Sequence, residues 1–533
     1  MATVGKNILG NLTTGMYTDS RMMYREYIQN SCDQIDKAIE EGILKSKEDG
    51  IVEINLNPNK SYICIRDNAT GVMAEKFISD LGDIANSDKK IGQNRGFRGI
   101  GRLIGLAYCK TLKFTTSWPG ENVKSIMTCN GELMKAMLED EKKYTLDEVW
   151  DTIVSFSTEK EEENEHYFMV ELIDVYETAK DLLVKDAVAD YLSFTAPVAY
   201  TSNFFLRSKI YEHAKEIKQS IDEYNIRVNG KPIFKEYTPN IKEMKGNDPR
   251  TYDRITDIAF KDFTDSKGNL LAWMWFGVSG FIKAIPSCNR MKGLRLRSGN
   301  VQVGDADTLQ KNSFFKENRA HNYFVGEVFA VSDKLVPNSQ RDYFNQNETR
   351  LLFENVLKDY FFNYLHNYYT MANKIKKALE HKNEFVKKVN DYNNKKEKND
   401  FIDKTEEENL LNSIAEKGNS VNKENKWVET FKEKNIDDTM STILDNLEKR
   451  FNHDEKAQDK QGNETTKSSK VPMDKKNNDE EKSKPKMQFF SSSLTKLNRK
   501  EQKLVSKILS IVSDVVDEAE AKEIKERIKD EFC

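Results

Sequence analysis

REYIQNSCDQIDKA, residues 25–38, is the stretch on which the reading of the whole chain turns. It lies in a helical run from about Met16 to Glu41, and within it Glu26, Asn30 and Asp33 stand at i, i+4 and i+7, so two carboxylates and an amide oxygen share one face. An amide oxygen suits Mg2+, which prefers a few hard oxygen ligands together with waters and phosphates. A carboxylate one turn away can orient a water for attack. Alone, E-x-x-x-N-x-x-D is an ordinary solvated face, and it takes on meaning only beside other blocks of the chain.

Two alternating stretches come next, IVEINL and SYICIRD, which predict strands joined through the turn-rich NPNK. The second ends in Asp67 and runs into RDNATGVMAEKF, where Gly71 sits in a turn. A buried Asp at a strand end can accept a hydrogen bond from an adenine amino group, and glycine lets backbone approach the ring. The third block is RGFRGIGRLIGLAYC, residues 95–109, in which Gly96, Gly99 and Gly101 are expected to open an apolar helix. Closely spaced glycines free backbone N–H groups to wrap phosphates, and a helix N-terminus favours the negative charge.

In this order and spacing the three blocks resemble the gyrase, heat-shock chaperone, histidine kinase and MutL (GHKL) ATPase superfamily, in which they form the Bergerat nucleotide pocket. The ninety-kilodalton heat-shock chaperone branch is the most similar. REYIQNSCDQIDKA resembles its first motif, DNATGV its second, and DLGDIANSDKK followed by GFRGIGRL its lid and third motif. The resemblance implies Glu26 as the water-activating base, Asn30 as the Mg2+ ligand and Asp67 as the adenine reader. It implies Asp33, Gly71 and Met73 around the base, Ser87 and Lys89 in the lid, and Gly96, Phe97, Arg98, Gly99, Ile100 and Gly101 around the phosphates. Two departures stand out. Ala69 occupies the place of the second motif's usual first glycine, and no closing Gly-Thr motif precedes YFMVELI.

Further along, LVPNSQRDYF resembles the chaperone stretch whose arginine reaches the γ-phosphate from the middle domain, which makes Arg341 a second catalytic candidate. The expected fold is α+β. A Bergerat-type α/β sandwich ATPase domain is expected over 1–180, closing on the strand YFMVELIDV, and a mixed α/β transducer-like domain over 190–372. The latter carries the strand candidates IRVNGKPIF, LAWMWFGVSGFI, GLRLRSGNVQVG and YFVGEVFAV. A charged helical arm (373–452) and a disordered linker (453–486) follow, because the composition turns to Lys, Glu and Asn and then loses almost everything that could be buried. A small helical module (490–533) closes the chain: Asn498 and Glu501 form a capping-box-like start, and Leu504, Ile508, Ile511, Val515 and Val516 recur at helical spacing.

The 533 residues carry a net charge of -4, so no global basic field points to nucleic acid or to an anionic membrane. The six cysteines form no C-x-x-C pair, and no window approaches a membrane span. A reducing, cytoplasmic setting is expected. The resemblance implies an ATPase that uses Mg2+ and ATP to drive a conformational clamp, with a homodimer and a protein client as partners. The alternative is a nucleic-acid clamp like the Microrchidia or MutL proteins, in genome maintenance or anti-phage defence, with KIKKALEHKNEFVKKVNDYNNKKEK supplying phosphate contacts. A histidine kinase fits poorly, since none of the six histidines precedes the pocket. A type II topoisomerase also fits poorly, since Asp305 and Asp307 lie in no acidic cluster.

Overall fold

The computed structural model describes residues 4–13, 19–83, 101–434, 436–459, 499–516 and 518–532. Two compact units divide it, Met1–Tyr369 and Thr370–Cys533.

The first unit begins with helices α1 (Asn7–Thr13) and α2 (Met22–Glu40). Its first sheet comprises β1 (Ile51–Asn57), β2 (Tyr62–Asp67), β3 (Cys109–Ser117), β4 (Val123–Asn130), β5 (Val154–Lys160), β6 (Tyr167–Val175), β7 (Asn225–Val228) and β8 (Lys231–Pro232), in the order β5-β4-β3-β6-β2-β1-β7-β8. Between β2 and β5 lie α3 (Phe77–Gly82), α4 (Gly131–Glu139) and α5 (Leu146–Ile153). Met23, Tyr24, Tyr27, Ile28 and Ile35 of α2 belong to the same buried cluster as Ile54, Ile63, Ile65, Phe114 and Leu172 of the strands, so one face of the sheet is packed as alternation requires.

Two expectations are corrected here. YFMVELIDV is a strand at the expected residues, between β3 and β2, but it is not the last of its sheet, since β7 and β8 join it later in the chain. IRVNGKPIF, expected in the sheet of the second region, supplies β7 and β8, and β7 pairs in parallel with β1 from Ile51↔Asn225 to Ile54↔Val228. Alternation marks a strand, but a partner so distant along the chain leaves no local trace.

Helices α6 (Lys185–Thr195) and α7 (Arg207–Glu216) precede β7. After it come the hairpin β9 (Asn240–Lys245) and β10 (Asp248–Arg254), then a second sheet of β11 (Asp257–Thr264), β12 (Leu270–Val278), β13 (Gly293–Ser298), β14 (Val301–Gln302) and β15 (Val325–Ala330), ordered β11-β12-β15-β13-β14. The short helix α8 (Thr308–Lys311) follows β14. β12 and β15 are buried on both faces, as their unbroken apolar runs require. Helix α9 (Glu348–Tyr360) meets this sheet through the edge-on pair Phe263–Tyr360, with ring centroids 5.7 Å apart. A π-helical turn, Phe361–Leu365, leads into α10 (His366–Glu397).

In the second unit, α11 (Lys404–Glu433) and α12 (Asp438–Asp459) accompany α10, and the pairs Lys395–Glu406 at 3.0 Å and Lys417–Glu384 at 2.7 Å join α10 to α11. Helix α12 runs to Asp459, past the expected linker start at 453, while 460–486 and Asn498 lie outside the described residues. Helices α13 (Arg499–Val515) and α14 (Glu518–Phe532) form a hairpin closed by Leu509, Val505, Ile524 and Ile528. Among the described residues, no helix is long and apolar enough to cross a membrane.

Candidate functional site

Helix α2 buries its chemistry along with its apolar stripe: Glu26 is 5% exposed and Asp33 8%, and Asn30 lies half-buried between them. Glu26 packs directly on Gly101, where a Cβ would collide with its carboxylate. The chain after Gly101 is tied to the same helix, since Tyr27 Oη donates to the Arg102 carbonyl at 2.8 Å and accepts from the Gly105 N–H at 3.1 Å. The expected apolar helix is a 3-10 run here, Gly101–Ala107. Glycine at 101 and 105 permits the tight approach to Glu26 and Tyr27, and both residues carry a helix penalty.

Arg341 comes to Glu26 from the loop after β15. Its Nε lies 2.5 Å from Glu26 Oε1, and its Nη2 donates to Oε2 at 3.4 Å. The two side chains are 10% and 6% exposed, so water screens this pair little. Arg341 has φ of 53°, the left-handed region that a residue with a bulky side chain enters only when its surroundings hold it there. The Gly304 N–H donates to its carbonyl at 2.8 Å, Arg25 Nη1 and Nη2 add contacts at 3.4 Å, and its own N–H donates to Asn338 O at 3.1 Å.

At the end of β2, Asp67 is 2% exposed. Ser31 Oγ donates to its Oδ2 at 2.7 Å and the Ala69 N–H to its Oδ1 at 3.2 Å. Burial outweighs these donors and pushes the carboxyl up to about 6. Gly71 has φ of +70°, and a Cβ there would run into the Ser117 carbonyl. Ala69 keeps a negative φ, so its methyl replaces the usual glycine without backbone strain. Met73 lies half-buried in the same loop.

No Gly-Thr pair precedes β6, and the loop of the second motif finds other anchors. Thr116 Oγ1 on β3 accepts from the Val72 N–H at 2.9 Å and donates to the Tyr167 carbonyl at 2.8 Å. His166 Nδ1 meets the Ala69 carbonyl at 2.8 Å, and because a carbonyl only accepts, that nitrogen carries the proton. Ser31, Arg25, Thr116 and His166 escape sequence reasoning. Ser31 adjoins Asn30 and could have been found from helical geometry, whereas Thr116 and His166 belong to strand partners that only pairing reveals. Ser87, Lys89, Gly96, Phe97, Arg98, Gly99 and Ile100 lie outside the described residues.

Residues 20–159 match the family described as histidine kinase-, DNA gyrase B- and HSP90-like ATPase. A stretch of 87 residues is 32% identical to the chaperone protein HtpG of Chlorobium phaeobacteroides, which covers 15% of this chain and 14% of that protein. The chain therefore aligns with about a seventh of that relative's length.

Proposed function

We propose, from the premise that residues 20–159 are an ATPase domain of the histidine kinase, DNA gyrase B and HSP90-like family, that this chain hydrolyses Mg-ATP slowly to drive a clamp acting on protein clients. The observation that carries the reading is the buried pair of Arg341 and Glu26, two candidates far apart in sequence brought to 2.5 Å. In this arrangement the arginine holds the base carboxylate. A γ-phosphate offers Arg341 a more highly charged partner, and drawing the guanidinium onto it frees Glu26 to align a water. ADP lacks that group and leaves the pair intact. Asp67 accepts from the adenine amino group. The Asn30 amide fits Mg2+ as a single hard oxygen beside phosphates, and the ion supplies neutralisation of phosphate charge when bound. Because the Arg341 side chain has to leave Glu26 before chemistry, turnover is slow.

Similarity to a chaperone over 87 residues supports a protein client. The nucleic-acid alternative draws less support, because basic residues of the arm already face acids: Lys376 with Glu380, Lys395 with Glu406, and His381 with Glu424. A second copy is part of the clamp reading. On α13, Leu504, Ile508, Ile511 and Val515 are 59%, 47%, 65% and 80% exposed and follow the four-three-four spacing of a two-helix seam. Sedimentation velocity of wild type against Ile511→Asp reads that interface, and an unchanged species distribution removes it.

The functional test is ATP turnover by wild type and Glu26→Ala with Mg2+, each with and without an unfolded protein or duplex DNA. Turnover lost in the variant and stimulated by unfolded protein is the expected result. Stimulation by DNA instead transfers the reading to the nucleic-acid clamp. A wild type that neither binds nor hydrolyses ATP ends the ATPase proposal.

A further inference from the structure

Beneath the second sheet, Glu327 of β15 is fully buried, and four side chains converge on it. Arg297 Nε lies 2.5 Å from Oε1, Tyr237 Oη donates to Oε1 at 3.0 Å, Lys235 Nζ donates to Oε2 at 3.1 Å, and Tyr200 Oη donates to Oε2. Burial opposes the charge, but Arg297 and Lys235 prevail and hold the carboxyl down at about 2. Burying two cations and a carboxylate costs desolvation that well-packed apolar residues avoid, so stability alone is a weak reason for the cluster. What the cluster does have is reach in two directions.

One direction leads to the helix that carries Glu26. Lys235 Nζ donates to Asn300 Oδ1 at 2.6 Å, and Asn300 Nδ2 donates to the Asp222 carbonyl at 2.5 Å. Two residues on, Tyr224 Oη donates to Asp36 of α2 at 2.7 Å. Arg297 Nη2 also donates to the Phe194 carbonyl at 2.9 Å, near the end of α6, and Tyr191 of that helix meets Met22 of α2. The other direction leads to Arg341. Arg297 faces Gln302 across the β13–β14 hairpin, Gln302 Nε2 donates to the Gly304 carbonyl at 3.1 Å, and the Gly304 N–H donates to the Arg341 carbonyl at 2.8 Å. Gly304 itself has φ of +68°, and a Cβ there would meet Thr308 and the Asp342 carbonyl, so this turn has little freedom to shift.

We infer that Glu327 is a positioning residue for hydrolysis, its carboxylate fixing the helix that carries Glu26 and the loop that carries Arg341 in one register. The inference rests on the ATPase reading above. Glu327 touches neither Glu26 nor Arg341, and acts through Arg297, Lys235 and the β13–β14 hairpin. Both ends of the Arg341–Glu26 pair are thereby referred to one buried charge, and a shift of either end of order 1 Å costs about 100-fold in rate.

The test is single-turnover and steady-state hydrolysis by wild type, Glu327→Gln, Arg341→Ala and the double variant, with nucleotide affinity and far-UV circular dichroism measured on each. Glu327→Gln keeps the side-chain shape and removes the charge. The expected result is a kcat lowered about ten-fold or more with KM within about two-fold of wild type, and a smaller further loss in the Arg341→Ala background, where only the Glu26 helix is left to position. A kcat equal to wild type, a KM that rises in step, or losses that multiply in the double variant each overturn the inference. If Glu327→Gln does not fold, Asn300→Ala is read by the same criteria, because it leaves the charges whole and cuts the link from Lys235 to the Asp222 carbonyl on the way to α2. Wild type without turnover fails the ATPase reading itself, whereas an active wild type with an insensitive Glu327→Gln fails only the positioning role.

Discussion

At the scale of single residues, the site depends on carboxylates held where water would not leave them. Glu26 lies against Gly101 with no room for a side chain between them. Gly101→Ala is therefore expected to push the carboxylate off its line and lower kcat about ten-fold or more, with nucleotide affinity much less affected. Turnover and equilibrium binding on the same preparation check this. Asp67 carries a pH signature. Its carboxyl, normally at 3.8, sits at about 6, so between those values the folded state retains a proton that the unfolded chain releases. Its contribution to stability therefore declines as pH rises through that window. The ionised carboxylate is the stronger acceptor for an adenine amino group, so ATP affinity is expected to weaken as pH falls below about 6. Calorimetric titration with ATP from pH 5 to 8 reads the effect, and a flat profile removes Asp67 from adenine recognition. Glu26 and Asp67 are legible from sequence because each needs only a residue type at a fixed local spacing. Ser31 follows from the same helical spacing, but Arg25 beneath the Arg341 carbonyl does not, because its partner lies 316 residues away in the chain.

At the scale of elements, the loop between β2 and α3 is held by a strand it does not follow. The Thr116 hydroxyl on β3 bridges the Val72 N–H and the Tyr167 carbonyl, and the residue is 1% exposed. Thr116→Val keeps the shape and removes the hydroxyl from the Val72 N–H and the Tyr167 carbonyl, with an expected cost of about 1–3 kcal/mol in urea unfolding and weaker nucleotide binding. A variant as stable as wild type would show that the loop is fastened elsewhere. Strands β1, β2 and β6 are readable from alternation, and β12 and β15 from their apolar runs. Strands β3, β4 and β5 lie in a charged stretch whose pattern is blurred, since β5 faces solvent along almost all its length. The 3-10 run at Gly101–Ala107 departs from the expected helix because Tyr27 and Glu26 dictate its path.

At the scale of the whole molecule, the Arg341–Glu26 pair predicts that ATP and ADP act differently on the first unit. A nucleotide at 100 times its Kd adds about 2.7 kcal/mol of stability. A non-hydrolysable ATP analogue is expected to raise the unfolding midpoint beyond ADP at matched saturation, and the excess is expected to vanish in Arg341→Ala. Scanning calorimetry with both nucleotides decides it, and equal midpoints in wild type would mean that Arg341 does not sense the γ-phosphate. By itself the sequence determined the motif helix, the strand ending in Asp67, the glycine turns and the resemblance they carry, because periodicity and residue chemistry act within a few residues of each other. It also marked Arg341 as a candidate. Only the tertiary structure decided that β7 joins β1, that Thr116 and His166 hold the second-motif loop, and that Arg297, Lys235, Tyr200 and Tyr237 meet at Glu327. Each of these depends on groups that meet across long separations, and burial with hydrogen-bond satisfaction selects such partners after the local elements have formed.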